Sequence, residues 1–169
     1  MKVGFFRHGP AVPRGSAGIA EPERPLTREG RKKTAEAARG LRKLDLGFDA
    51  IFTSPLPRAV QTAEILAEIL QLGRPKPLDA LLPTTSARGL LEALRDIGAE
   101  APLLVGHEPS LSAAASLAVC GTLRASLELK KAGMIWVEFE KIKPRPQGIL
   151  KLLLTPAALR GLSGGKGVE

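Results

Sequence analysis

The 169-residue chain has no asparagine and no tyrosine, one cysteine, one tryptophan and only two histidines. Each scarcity closes off a class of function. A single thiol, Cys120, supports neither an intramolecular disulfide nor a metal cluster. Arg124 follows it by four positions, too close for a thiol phosphate loop of the Cys-x5-Arg kind, so Cys120 is expected to be a small buried side chain. Aromatic residues make up only 4% of the chain, which leaves few rings for base stacking. The net charge of +8 favours anionic partners, but the lysines and arginines are spread along the chain without forming a motif, and nucleic acid is not expected among them. No apolar run approaches the ~20 residues that span a bilayer, and the N-terminus lacks a signal-peptide pattern. A cytoplasmic protein with no membrane partner, no metal and no cofactor is expected. The lack of asparagine, with little methionine and 14 prolines, fits either a thermophile or GC-rich coding.

What is present reads as one globular domain. Hydrophobic residues make up 44% of the chain, enough for a sizeable core, and residues 1–160 are assigned to that domain with 161–169 as a flexible tail. Apolar runs that predict strands at about 2–7, 49–53, 77–81, 102–106, 133–140 and 148–154 alternate with helical patterns at about 28–43, 55–71, 86–97 and 109–119. Thr27 is expected to cap the first helix, and Ser54, with Pro55 at N1, the second. A turn-rich stretch, 143–148, joins the last two strands. The tail from Gly161 to Gly167 superficially resembles a P-loop, but its glycine spacing is one residue short and no Ser or Thr follows Lys166. This order predicts an α/β fold of three layers, α/β/α, around a mostly parallel central sheet with an antiparallel end.

Both histidines stand at the ends of buried-strand patterns. Lys2-Val3-Gly4-Phe5-Phe6 runs into Arg7-His8-Gly9, and Pro102-Leu103-Leu104-Val105 runs into Gly106-His107-Glu108. A third strand runs into Ser54-Pro55-Leu56-Pro57-Arg58. In parallel α/β sheets ligands lie beyond the carboxyl ends of the strands, so three such ends would present two imidazoles and two guanidiniums together. Neutral imidazole is a nucleophile near neutral pH, and arginine grips phosphate oxygens in pairs while staying charged. Arg58 would sit at the positive end of its helix, and the backbone amide of Glu108 at the start of the next helix would offer phosphate a further donor. Arg24 is a further cationic candidate, as a substrate-binding residue.

The set Arg7-His8-Gly9, Arg24-Pro25-Leu26-Thr27 with Gly30, Ser54-Pro55-x-x-Arg58-Ala59-x-Gln61-Thr62-Ala63 and Gly106-His107 resembles the histidine phosphatase superfamily, whose fold is phosphoglycerate mutase-like. The resemblance covers residues 1–110 in the right order. It implies that His8 is transiently phosphorylated, that Arg7 and Arg58 bind phosphoryl oxygens, and that His107 completes the pocket as a cationic hydrogen-bond donor. Water would then release phosphate, without a metal. Many members of the superfamily also use a carboxylic acid between the second arginine and the second histidine. In this chain the stretch reads Leu78-Asp79-Ala80-Leu81-Leu82-Pro83-Thr84-Thr85, which leaves only Asp79 or, further on, Glu108 as candidates.

An alkoxide leaves poorly without a general acid, whereas protonated imidazole leaves easily. The missing acid therefore tilts the reading toward protein phosphohistidine, and in compactness and in its Arg-Pro-Leu-Thr entry the chain resembles the SixA phosphohistidine phosphatase branch. The expected partner is a phosphorylated protein, such as an acidic histidine phosphotransfer domain, or a small phosphorylated metabolite. Two other readings stay open at this point: a broad small-molecule phosphomonoesterase and a non-catalytic phosphate-binding or interaction module.

Overall fold

In the computed structural model, described for residues 1–123, 127–141 and 145–164, Lys2–Arg7 forms strand β1 with alternate side chains on opposite faces. Val3 and Phe5 enter one core and Phe6 the other, as a strand buried on both faces requires. The same alternation splits Leu104 from Leu103 and Val105 in β4 (Pro102–Gly106), and Phe52 from Ile51 in β2 (Ala50–Thr53). The six-stranded sheet is completed by β3 (Lys76–Pro77), β5 (Met134–Lys141) and β6 (Gln147–Leu154), in the order β3-β2-β4-β1-β5-β6. β1, β2, β3 and β4 run parallel, while β5 pairs antiparallel with both β1 and β6. The fold is the three-layer, mostly parallel α/β architecture expected from the sequence.

Helices α1 (Arg28–Lys43), α2 (Pro57–Leu70) and α5 (Pro156–Ser163) cover the face that receives Phe6, Ile51 and Leu103. Helices α3 (Ala87–Ala93) and α4 (Ser110–Cys120) cover the other, around Phe5 and Leu104. The Thr27 side chain accepts from the amide of Gly30, an N-cap of the kind that contributes ~1 kcal/mol. Gly30 has a second constraint: a Cβ there would stand 1.9 Å from the Pro10 carbonyl oxygen. Only glycine lets the loop after β1 lie directly on α1.

Several boundaries differ from the sequence expectation. Ser54 does not cap α2: Leu56 occupies the N-cap and Pro57, not Pro55, is at N1. The extended stretch expected at 77–81 is a two-residue strand followed by a 3-10 turn, Asp79–Leu81. The helix expected over 86–97 is α3 followed by a 3-10 turn at Leu94–Asp96. Cys120 is exposed, not buried, because it ends α4 next to Gly121, whose left-handed backbone terminates the helix. A fifth helix, α5, was not anticipated, although Thr155 caps it and Pro156 opens it. The tail assigned to 161–169 therefore begins inside a helix, and 165–169, with part of the P-loop-like stretch, lie outside the described residues. The turn expected at 143–148 likewise lies partly outside them, and Gln147 and Gly148 already belong to β6.

Candidate active site

The strand order places the carboxyl ends of β2, β4 and β1 side by side, and they form the floor of a cleft of about 750 Å³. Arg7, His8, Arg24, Arg58, His107 and Glu108 all line it. Asp79 does not; it is exposed at the start of its 3-10 turn, outside the cleft lining. The backbone ladders continue past the strands: the His8 amide donates to the Gly106 carbonyl at 3.0 Å and the Ser54 amide to Val105 at 2.9 Å. These bonds hold the three loops at sheet spacing, so that residues about 50 and 100 positions apart meet.

The imidazoles of His8 and His107 lie with ring centroids 5.0 Å apart, tilted by 57°. His8 Nδ1 is 2.7 Å from the Gly9 carbonyl oxygen. A carbonyl only accepts, so this bond assigns the proton to Nδ1 and leaves the lone pair on Nε2. His107 Nε2 meets the Ser54 hydroxyl at 2.9 Å. Ser54 is thus a ring-orienting group, fully buried beneath the cleft and not a helix cap.

Helix α2 serves the same loop from one stripe of its surface. Arg58, Gln61 and Thr62 stand at i, i+3 and i+4 and so share a face. Gln61 Oε1 accepts from the Leu26 amide at 2.8 Å, and Thr62 Oγ1 accepts from the Gly9 amide at 3.0 Å while donating to the Arg58 carbonyl. A Cβ on Gly9 would fall 2.1 Å from Thr34 Oγ1, so this position also requires glycine. The Arg58-x-x-Gln61-Thr62 spacing is thereby explained: the guanidinium lines the cleft and the next two polar groups fasten the loop that carries His8.

Arg7 donates through Nη1 to the Leu129 carbonyl at 2.9 Å, and Arg58 through Nη1 to the backbone carbonyl of Glu21 at 3.3 Å. Among the described residues, the two buried side-chain polar atoms without a hydrogen-bond partner are Arg7 Nε and Arg58 Nε. Burial lowers the pKa of both guanidiniums from their ordinary value, and both line the same cleft. Two desolvated cations with a spare donor each make a strong oxyanion site.

Arg24 is no solvated loop charge. It is buried, donates through Nε and Nη2 to both oxygens of Glu21 at 2.8 and 2.7 Å, and through Nη1 to Val12. Glu21 also lies 3.3 Å from Arg14 and 4.0 Å from Arg58. Its hydrogen bonds to Arg24 lead the causes that hold its carboxyl below the usual range, so Glu21 stays ionised. The Glu108 carboxylate accepts from both the amide and the hydroxyl of Ser112, at 3.0 and 2.6 Å. Sequence reasoning had not singled out Glu21, Arg14 or Lys131, all of which line the cleft. Glu21 has a local signal, three residues before Arg24; Lys131 has none.

Both imidazoles are pushed down to about 3, first by burial and then by neighbouring cationic groups (Arg58 and Arg7 for both rings, with His8 ahead of them for His107), while for His8 the bond to Gly9 opposes the shift. His107, expected as a cation, is therefore neutral in the cleft's own field, although a phosphoryl dianion would favour its protonation. In the denatured chain a histidine titrates near 6.5, so between about 6.5 and 3 the unfolded state binds more protons and stability falls as pH is lowered. With only two histidines, imidazole NMR reads both directly. We expect neither ring to titrate between about pH 8 and pH 5, outside the ordinary histidine behaviour. A midpoint near 6.5 in either would mean that its ring is not desolvated.

The fold and the cleft define an oxyanion-binding hydrolase site of two imidazoles and buried arginines. The sequence profile described as the histidine phosphatase superfamily (branch 1) matches residues 3–81. An uncharacterised protein of Picosynechococcus sp. (strain ATCC 27264 / PCC 7002 / PR-6) is 40% identical over 162 residues, covering 92% of this chain and 97% of that one. The chain belongs to the histidine phosphatase superfamily and is a phosphatase. Its fold is similar to that of the protein histidine phosphatase SixA complexed with tungstate, with a TM-score of 0.80, 22% identity and coverage of 94% and 99% of the two chains. It is also similar to the alpha-ribazole phosphatase from Shigella flexneri (TM-score 0.68, 16% identity, 92% and 97% covered). A phosphoserine phosphatase from Entamoeba histolytica, in complex with phosphoserine, aligns with TM-score 0.64 at 15% identity, covering 94% and 98%. Among the described residues no helix is long and apolar enough to cross a membrane.

Proposed function

We propose that this phosphatase works through a phosphohistidine intermediate on His8, without a metal, and that its substrate is phosphohistidine in a protein. His8 Nε2 attacks phosphorus, the N–P bond to the enzyme forms and the bond to the leaving imidazole breaks. The leaving nitrogen takes its proton from solvent. Water then attacks the phosphoryl group, the enzyme N–P bond breaks, and Nε2 recovers its lone pair as orthophosphate departs. Arg7 and Arg58 hold the non-bridging oxygens through both steps, and His107, fixed by Ser54, donates to the same group.

The substrate assignment is carried by the state of the two cleft carboxylates. Glu21 is held ionised by arginine, and Glu108 is occupied by Ser112 at the start of α4. Glu21, held ionised, has no proton to give an alkoxide, Glu108 is turned to Ser112, and Leu82, Pro83 and Thr84 add no further acid to the cleft lining. A phosphoramidate needs no such acid. The likeness in fold to SixA agrees with this substrate; the likeness to alpha-ribazole and phosphoserine phosphatases defines the competing one.

A panel decides between them: a phosphotransfer domain phosphorylated on histidine, a phosphoserine peptide, a sugar phosphate and an aryl phosphate, compared by kcat/KM. The histidine-phosphorylated protein is expected to be the best substrate, with the aryl phosphate, whose leaving group is the most acidic, the best of the esters. Faster hydrolysis of the sugar phosphate or phosphoserine would overturn the assignment.

A further inference from the structure

The cleft carries more positive charge than one phosphoryl group consumes. Its lining includes the cations Arg7, Arg14, Arg24, Arg58 and Lys131 against the carboxylates Glu21 and Glu108, an excess of three. Both imidazoles are neutral in that field. A phosphoryl group brings about two negative charges at neutral pH. Glu21 already attends to Arg14 and Arg24. Lys131 has no ion pair among the described residues, whereas its neighbour Lys130 pairs with Glu128.

Lys131 is also held by more backbone than a surface lysine needs. The segment 129–133 is fastened to the end of β1 at four points: Arg7 Nη1 donates to Leu129 and the Arg7 amide to Gly133, while the Ala132 amide donates to the carbonyls of Arg7 and, at 3.3 Å, His8. A bond from the Gly133 amide to Lys130 closes the turn. Ala132 adopts φ 60°, a conformation costly for a residue with a Cβ, and is buried. The turn that displays Lys131 is thus tied to the same arginine that grips phosphate. Lys131 is exposed at the rim of the cleft, and its ammonium is drawn down from its ordinary pKa by partial desolvation and by Arg7, Arg24 and Arg14, which share the cleft with it.

We propose that Lys131 forms a second anion subsite, reading a carboxylate or phosphate that flanks the phosphoryl group on the substrate. The proposal rests on the phosphatase reading of the cleft and adds a specificity determinant to it. The flanking anion has two possible sources, an acidic side chain beside the phosphorylated residue of a protein or the carboxylate of a small phosphate ester.

Paired substrates test it. One arm compares a phosphohistidine peptide flanked by aspartate with the same peptide flanked by asparagine; the other compares phosphoglycolate with ethyl phosphate. Wild type is expected to favour the anionic member of at least one pair by roughly five- to tenfold in kcat/KM, through KM. Lys131→Ala should bring that ratio to about one, Lys131→Arg should keep it, and Lys131→Glu should invert it. The arm that responds names the source. Ratios that Lys131→Ala leaves unmoved in both arms overturn the proposal, as does an equal loss on both members of each pair, which would put Lys131 on the phosphoryl group itself. If wild type turns over none of the four, the catalytic reading fails instead. Calorimetric binding of phosphoglycolate against ethyl phosphate then reads the subsite by the same ratios.

Discussion

His8→Ala is expected to abolish turnover and, with it, any trapped phosphoenzyme. A covalent route has no substitute for its nucleophile, and the loss should reach several powers of ten, on the scale of about 10⁶ for removal of a serine nucleophile. The fold should survive: the His8 amide still donates to Gly106, and the truncation opens space on the cleft floor, not in either hydrophobic cluster. Mixing wild type with a labelled phosphohistidine protein, quenching in alkali and digesting should recover an acid-labile label on the peptide that contains His8. The variant should yield none while melting at a similar temperature. Label that persists in the variant would move the nucleophile to His107, whose ring lies 5.0 Å away.

Arg58→Ala should cost about 10²–10³-fold in kcat, the loss that follows removal of one preorganised oxyanion donor. The guanidinium is almost fully buried, with its Nε unpartnered, so its desolvation is already borne by the folded protein. Its removal withdraws a fixed cation from where charge gathers on the phosphoryl oxygens, without disturbing Gln61 and Thr62, which anchor the His8 loop. Arg58→Lys should recover only part of the rate, because an ammonium cannot offer two parallel donors. Steady-state kinetics on the best substrate of the panel check both variants. Near-normal kcat in the alanine variant would mean that the phosphoryl group does not meet Arg58.

The sheet and the convergence of the site residues were legible because they follow from local patterns. Continuous apolar runs marked β1 and β4, and Thr27 with Gly30 marked the start of α1. The polar interactions that finish the cleft were not legible, since they join distant parts of the chain. Ser54 reads locally as a cap, yet its hydroxyl is claimed by His107, 53 positions away. Arg24 reads as a loop cation offered to substrate, and only the turn at Glu21–Glu23 reveals that both oxygens of Glu21 already hold it. Lys131 enters the cleft through a turn built on carbonyls of β1, which no nearby spacing announces. The low pKa of the His107 ring in the unliganded cleft is illegible for a related reason: the order of residues along a chain does not report desolvation.

Since β4 lies between β2 and β1, the first 81 residues contain no strand that can pair with β1. That stretch holds His8 and Arg58, joined through Gly9 and Thr62, but it lacks β4, which sets β1 and β2 at sheet spacing, and the Leu129 carbonyl that Arg7 meets. The cleft is therefore complete only when the chain through β5 is in place, with β4 between β2 and β1.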